Sequence, residues 1–187
     1  MDLSRRDWLT ASLSLVSVPE ILAAQEHAHT MMRSGAPAKF IFFDPKTAAE
    51  VAAIAERIIP TDDTPGAREA GVIYFIDRAL TTFDEGRQGA YRDGLTSVQA
   101  QRLKLFPESE SIAKLTPSQQ DDLLRSIEQT DFFQMVRSHT IMGFLGNPSY
   151  GGNRDGVGWK LIGFEDSMKF EPPFGYYDRE AAKEGGN

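Results

Sequence analysis

The spacing of apolar side chains is the feature that most constrains how this chain folds. Apolar residues recur at the i, i+3, i+4, i+7 positions in several segments after residue 44, and Pro or Gly separates one segment from the next. No alternating apolar–polar stretch is long enough to form a half-buried strand. The pattern therefore predicts an all-α fold, a compact helical domain that ends in a glycine- and aromatic-rich C-terminal loop region.

The first two helices are predicted from apolar spacing together with residues that start or stop a helix. One helix begins at Asp44 and ends at Pro60, with Thr47 and Glu50 suited to a capping box. A turn-rich loop follows, and its carboxylates are expected to cap a second helix over residues 67–82. The apolar face of this second helix is broad, which predicts a position at the centre of the core.

Three more helices are predicted further along the chain. Residues 86–105 fit a partly exposed helix that covers the domain, because charged and glutamine side chains interrupt its apolar stripe. Thr116 followed by Pro117 is typical of a helix N-cap with proline at the first helical position. Asp131 is expected to cap the last helix, which should end at Gly146.

Composition limits the chemistry available to this chain. Its 187 residues suffice for one domain, and a net charge of −7 argues against a nucleic-acid partner. Cysteine is absent, which excludes disulfides, thiolate zinc sites, iron–sulfur clusters and covalent attachment of a c-type haem. The three histidines are His27, His29 and His139. We therefore assign no catalytic residue, metal ligand or cofactor to this chain.

The N-terminal residues 1–24 have the pattern of a twin-arginine export signal. Arg5 and Arg6 stand just ahead of an aromatic residue and a leucine, and a weakly apolar stretch continues to Pro19. This stretch is shorter than the roughly 20 residues that a membrane-spanning helix needs. We expect cleavage after Ala24. The alternative is that both arginines are ordinary surface charges on an amphipathic first helix.

The remaining chain divides by composition. Residues 25–39 are polar and interrupted by Gly and Pro, which predicts a linker. Residues 40–177 are expected to form the helical domain, and residues 178–187 a disordered tail. With an export signal in front of it, this domain is predicted to reach the periplasm.

Adjacent carboxylates and one histidine are the remaining candidates for chemistry. Asp62 with Asp63 and Asp121 with Asp122 are read as caps rather than acid–base pairs, because neighbouring side chains on a helix point apart. His139 lies in an apolar helical segment without a nucleophile nearby in sequence. It is therefore predicted to be a hydrogen-bonded histidine of the core or of an interface.

The run YGGNRDGVGW at residues 150–159 follows a helix rather than a strand, and it lacks the G-x-G-x-x-G fingerprint of nucleotide binding. Its glycines permit unusual backbone angles, and its aromatic residues are large rigid anchors. Two interpretations remain open, a surface that binds a partner protein and a loop packed on its own helices. The candidate interface residues are Tyr150, Gly151, Gly152, Asn153, Trp159 and Lys160.

Three blocks of sequence resemble the gluconate 2-dehydrogenase subunit 3 family. The most specific block is NPSYGGN at residues 147–153 followed by GWKLIG at residues 158–163. Upstream, residues 58–77 contain IIPTD, PGA, AGV and ID at the expected separations, and residues 132–144 contain FF, VRSHT and GF. The resemblance covers roughly residues 40–165.

The resemblance implies a small helical subunit that is not itself catalytic. Its expected partner is a flavoprotein large subunit of the glucose–methanol–choline type that carries FAD, often accompanied by a multihaem cytochrome c with haem c. The small subunit would supply the export signal, support maturation of the flavoprotein and engage the twin-arginine translocase. The complex would lie in the periplasm, peripheral to the inner membrane. The alternatives are a self-sufficient periplasmic enzyme and a stand-alone binding or structural protein without an oxidoreductase partner.

Overall fold

A computed structural model describes residues 39–167, together with residues 175, 180 and 183. The predicted all-α fold is confirmed, since residues 39–167 form helices and short 3-10 turns without any strand. The α-helices in this part are α1 (Pro45–Ile58), α2 (Val72–Ala79), α3 (Gln88–Leu105), α4 (Pro117–Ile127), α5 (Asp131–Leu145) and α6 (Val157–Ile162). None of the helices in the described residues is both long and apolar enough to cross a membrane.

Helices α2 and α5 form the centre of the domain, and α1 packs against both of them. The predicted central position of the second helix is confirmed, because Val72, Phe75, Ile76 and Ala79 are all buried. On α3, a stripe that includes Tyr91 faces the core while most of the helix stays in solvent. The predicted export signal with Arg5 and Arg6 and most of the predicted tail lie outside the described residues.

The helix ends confirm some predicted caps and correct others. Thr116 caps α4, and Gln119 completes a capping box with it. At α1, the expected capping box is wrong. Asp44 is the N-cap and accepts hydrogen bonds from the amides of Lys46 and Thr47 at 2.8 and 3.0 Å. It takes this place because it lies directly before the proline that starts the helix.

The side chain of Glu50, which was expected in that capping box, has a different role. It is buried and accepts a hydrogen bond from the amide of Ile112 at 2.7 Å, which fixes the 3-10 turn between α3 and α4. At the last long helix the cap is Thr130, one residue before the predicted Asp131. The predicted end at Gly146 is confirmed.

The second helix starts five residues later than predicted, at Val72. Gly71 precedes it with a left-handed backbone (φ 66°), and no side chain caps the helix. The carboxylate of Asp62 instead accepts a hydrogen bond from the amide of Thr64 within its own turn. The prediction that loop carboxylates cap α2 is therefore wrong. Residues 67–71 form turns between the loop and the first residue of the helix.

The paired aspartates on α4 are also not caps. Asp121 forms a two-point ion pair with Arg57 of α1, with N···O distances of 2.7 and 3.0 Å. This contact lowers the pKa of the Asp121 carboxyl. Asp122 pairs with the exposed Arg125 on its own helix. The two neighbouring carboxylates point apart as expected, but each forms an ion pair rather than a cap.

Asp77 of α2 holds the segment through which the chain enters the domain. Its carboxylate is 4% exposed and accepts hydrogen bonds from the amides of Ile41, Phe42 and Phe43 at 2.8, 3.0 and 2.8 Å. A buried carboxylate requires such partners, because removing a charge from water without compensation costs several kcal/mol. The backbone of residues 41–43 is thereby fixed to the middle of the core.

We expect Asp77→Ala to lower the free energy of unfolding by about 3 kcal/mol, because three backbone amides, of which that of Phe43 is buried, lose a charged acceptor. Chemical denaturation followed by circular dichroism measures this change. Asp63→Ala is the matched control, since Asp63 is exposed and forms no hydrogen bond to another described residue. Equal stabilities of the two variants would contradict the anchoring role of Asp77.

Candidate partner interface

The glycine-rich run after α5 folds into two 3-10 turns and the short helix α6, and it lies directly on α5. At Gly152 a Cβ atom would lie 2.1 Å from the carbonyl oxygen of Gly143. At Gly158 a Cβ atom would lie 2.0 Å from the carbonyl oxygen of Phe144. Both positions therefore require glycine, because the backbone of the run touches the backbone of α5.

Asn153 closes the run from inside. It is fully buried in a left-handed conformation (φ 45°), which asparagine tolerates better than most residues. Its side-chain Nδ2 donates to the carbonyl oxygen of Gly146 at 2.9 Å, and its Oδ1 accepts from the amide of Gly158 at 2.8 Å. One side chain thus connects the end of α5 with the start of α6.

Trp159 adds a further bond between the run and α5. Its indole Nε1 donates to the carbonyl oxygen of Leu145 at 2.6 Å, and its ring lies 5.0 Å from the ring of Phe164. The indole is partly buried, whereas the adjacent Lys160 is exposed. The next apolar residues, Leu161 and Ile162, are 50% and 60% exposed.

The six candidate interface residues therefore fall into two groups. Gly152 and Asn153 are buried within the domain, so they hold the run on α5 and are not accessible to a partner. Tyr150 is 55% exposed, Lys160 is exposed, and Gly151 and Trp159 are partly exposed. The run packs on its own helices, as one of the two interpretations proposed. Contact of the exposed residues with a partner stays a prediction.

Contacts that the sequence could not indicate join this run to α2. The guanidinium carbon of Arg154 lies 4.1 Å from the ring centroid of Tyr74, and the amide of Arg154 donates to the carbonyl oxygen of Ala70 at 3.0 Å. Arg78 donates through Nη1 to the carbonyl oxygen of Ser149 at 2.8 Å. These pairs are about 70 to 84 residues apart in the chain, so no local pattern reveals them.

His139 is a hydrogen-bonded histidine of the core, as predicted. Its Nε2 lies 2.7 Å from a carboxylate oxygen of Asp84, and its Nδ1 lies 2.8 Å from the hydroxyl of Tyr91. Because the Asp84 carboxylate only accepts, Nε2 carries the hydrogen of that bond, and Nδ1 shares the second hydrogen bond with the tyrosine hydroxyl. Burial raises the pKa of Tyr91 well above its usual range. Partial burial also raises the pKa of Asp84, but the contacts with His139 and Arg87 outweigh it and lower that pKa.

A second network of polar groups shapes the loop between α1 and α2. The carboxylate of Glu69 accepts hydrogen bonds from the hydroxyl of Thr61, from the amide of Gly66 and from Arg68. The hydroxyl of Thr61 makes the largest contribution, and these bonds lower the pKa of Glu69 to about 2 despite partial burial. The loop conformation therefore depends on an ionised Glu69.

The described residues also contain an open cavity of about 650 Å³ between the start of α1 and α3. Its buried charged groups already have partners within the domain. Arg102 donates to Gln99 and to the carbonyl oxygen of Ser109, and Glu50 accepts from Ile112. Across residues 39–167 we find no group of three or more His, Asp or Glu side chains arranged to hold a metal ion.

The fold and the run together define a class of protein, a small all-α domain in which a glycine-rich segment is locked onto the last long helix. Residues 45–166, well over half of the chain, match the family described as gluconate 2-dehydrogenase subunit 3. The chain belongs to this family, and membership indicates a subunit of a multi-subunit gluconate dehydrogenase type of complex. Comparison with curated proteins and with solved structures found no match.

We expect Gly152→Ala and Gly158→Ala each to destabilise the domain by about 2 kcal/mol, because the added methyl group overlaps a carbonyl oxygen of α5. Gly89→Ala in α3 is the control, since nothing lies within 4 Å of its Cβ position. That control should be neutral or gain up to about 1 kcal/mol from better helix propensity. Thermal unfolding of the three variants measures the difference, and equal melting temperatures would contradict the backbone contact.

The low pKa of Glu69 predicts a pH dependence of stability. The ordinary value is 4.5 and the folded value is about 2, so the ionised form favours the folded state above about pH 4.5. This contribution is lost as the pH falls from about 4.5 towards 2. Glu69→Gln should therefore lose less stability over this range than the wild type. Glu108→Gln, which changes an exposed carboxylate without a described partner, should follow the wild type in the same acid titration.

Proposed function

We propose that this chain is the non-catalytic small subunit of a periplasmic, FAD-dependent gluconate or sugar dehydrogenase complex. The single observation that carries the proposal is the family match over residues 45–166. In this complex the flavoprotein large subunit transfers hydride from a sugar or sugar acid to its FAD. Electrons then pass to a multihaem cytochrome c and on to the respiratory chain. The small subunit contributes protein contacts and no bond chemistry.

The proposal includes export of the flavoprotein together with this chain. Arg5 and Arg6 have the position and flanking residues of a twin-arginine signal, and that route carries folded proteins. A flavoprotein that binds FAD in the cytoplasm has to cross the membrane folded, and a bound partner with a signal provides the route. The zero cysteine count agrees with a chain whose redox cofactors belong to other subunits.

The test is expression of the affinity-tagged full chain in its native host, with purification from the periplasm. We expect a large chain with a flavin absorption spectrum to co-purify in a fixed ratio. In a variant with Arg5→Lys and Arg6→Lys, tagged chain and flavoprotein should both be lost from the periplasm. Arg33→Lys, a conservative change outside the arginine pair, should leave export unchanged.

Two outcomes would contradict different parts of the proposal. A colourless protein that purifies alone would exclude the flavoprotein partner and favour the stand-alone binding protein. A flavoprotein that reaches the periplasm at the wild-type level in the double lysine variant would exclude the escort role but leave the complex in place.

A further inference from the structure

The exposed side of α2 joins the entry segment of the domain to the glycine-rich run. The ring of Phe40 stacks on the ring of Tyr74, with centroids 5.0 Å apart and planes 12° apart. Arg154 from the run lies over the same ring, and Arg78 binds the carbonyl oxygen of Ser149. These contacts join Phe40, Tyr74 and Arg154, and Arg78 to Ser149, while Ile41 and Tyr150 are the chain neighbours of Phe40 and Ser149. We name this region the α2 face. Its residues are Phe40, Ile41, Tyr74, Arg78, Tyr150 and Arg154.

The α2 face exposes apolar and aromatic groups on a fixed backbone. The side chain of Ile41 is 75% exposed, although its amide is held by the buried carboxylate of Asp77 at 2.8 Å. Tyr150 is 55% exposed, and Phe40 and Tyr74 are partly exposed. Single exposed apolar residues are normal on a protein surface. Here, however, they adjoin stacked rings and arginines, the residue types that are enriched in protein interfaces.

The charge of the α2 face is opposite to that of the whole chain. The chain has a net charge of −7, whereas the α2 face contains the exposed Arg78 and Arg154, and the exposed Lys39 precedes it. None of these three cations forms a salt bridge with a described residue. Asp77 beneath them is occupied by three backbone amides. Two acidic residues adjoin these cations in sequence, the buried Asp77 before Arg78 and the exposed Asp155 after Arg154.

We propose that the α2 face binds an acidic surface with an apolar centre on the flavoprotein subunit, an inference that rests on the function proposed above. Arginines that form no salt bridge and are already held in place on their own domain attract a partner of opposite charge and lose little conformational freedom on binding. Ile41 and Tyr150, which are 75% and 55% exposed, supply apolar contact area. Since Phe40 and Ile41 directly precede α1 in the chain, the partner would lie beside the point where the N-terminal segment joins the domain.

The test compares two variants of the α2 face with two matched controls, each in the full tagged chain expressed in the native host. Ile41→Asp adds a charge at the apolar centre, and Arg78→Glu reverses a cation of the face. Leu103→Asp and Lys104→Glu make the same changes at exposed positions of α3. We expect each face variant to reduce the captured flavoprotein at least about tenfold, as for interface hot spots. Each control should stay within about twofold of the wild type.

Salt dependence and folding are measured on the same variants. Binding of the wild type should weaken as ionic strength rises, and Arg78→Glu should reduce this dependence because one attractive charge is reversed. Arg78→Gln, which keeps a donor for Ser149, separates loss of charge from loss of the internal hydrogen bond. Ile41→Asp remains informative if Arg78→Glu unfolds, because the Ile41 side chain points into solvent.

The outcomes distinguish the inference from the function on which it rests. Wild-type capture by folded Ile41→Asp and Arg78→Glu would overturn the inference and leave the complex in place. Absence of any flavoprotein with the wild-type chain would overturn both. A dimer of the purified chain that Ile41→Asp converts to a monomer would show that a second copy binds the α2 face instead. If the wild-type chain binds anionic phosphatidylserine vesicles, and Ile41→Asp and Arg78→Glu both lose this binding, the face would be assigned to a membrane instead.

Discussion

The structure depends on close backbone packing around Gly143 of α5. A Cβ atom at this position would lie 3.0 Å from the ring of Phe75 of α2, and the backbone of Gly152 touches the carbonyl oxygen on the other side. Phe75 and the backbone of Gly152 can both approach α5 at Gly143 because Gly143 has no side chain. Dense packing of this kind tolerates little change of volume, since a side chain here would separate the two neighbours. The position of α2 and that of the glycine-rich run are therefore linked through one residue.

Buried polar side chains complete the domain by holding segments that have no regular structure. Asp77 fixes residues 41–43, Glu50 fixes the turn at Ile112, and Asn153 closes the glycine-rich run. Each of these side chains is at most 4% exposed and has a hydrogen-bond partner within the domain. These buried polar groups already have partners within the domain. The contacts with another subunit that the proposed function requires would therefore be made by surface residues.

The candidate interface could be predicted from sequence only in part. The glycine-rich run was recognisable from its composition, but composition does not tell which of its residues are inside. Gly152 and Asn153 are buried because the run folds back on α5, while Tyr150 and Lys160 remain outside. Arg78, Tyr74 and Ile41 carried no sequence signal, because an arginine or tyrosine on a helix and an isoleucine before one are common everywhere.

The sequence by itself determined the all-α class, the approximate helices, the cap at Thr116 and the helix end at Gly146, since these features depend on residues within about four positions of each other. Tertiary structure alone decided the roles of the carboxylates. Glu50 and Asp77 bind amides 62 and about 35 residues away, and Asp121 pairs with Arg57 across two helices. A carboxylate can satisfy a nearby helix end or a distant amide equally well in chemical terms. Packing of the helices decides between them, because it determines which donors are removed from water and need a partner.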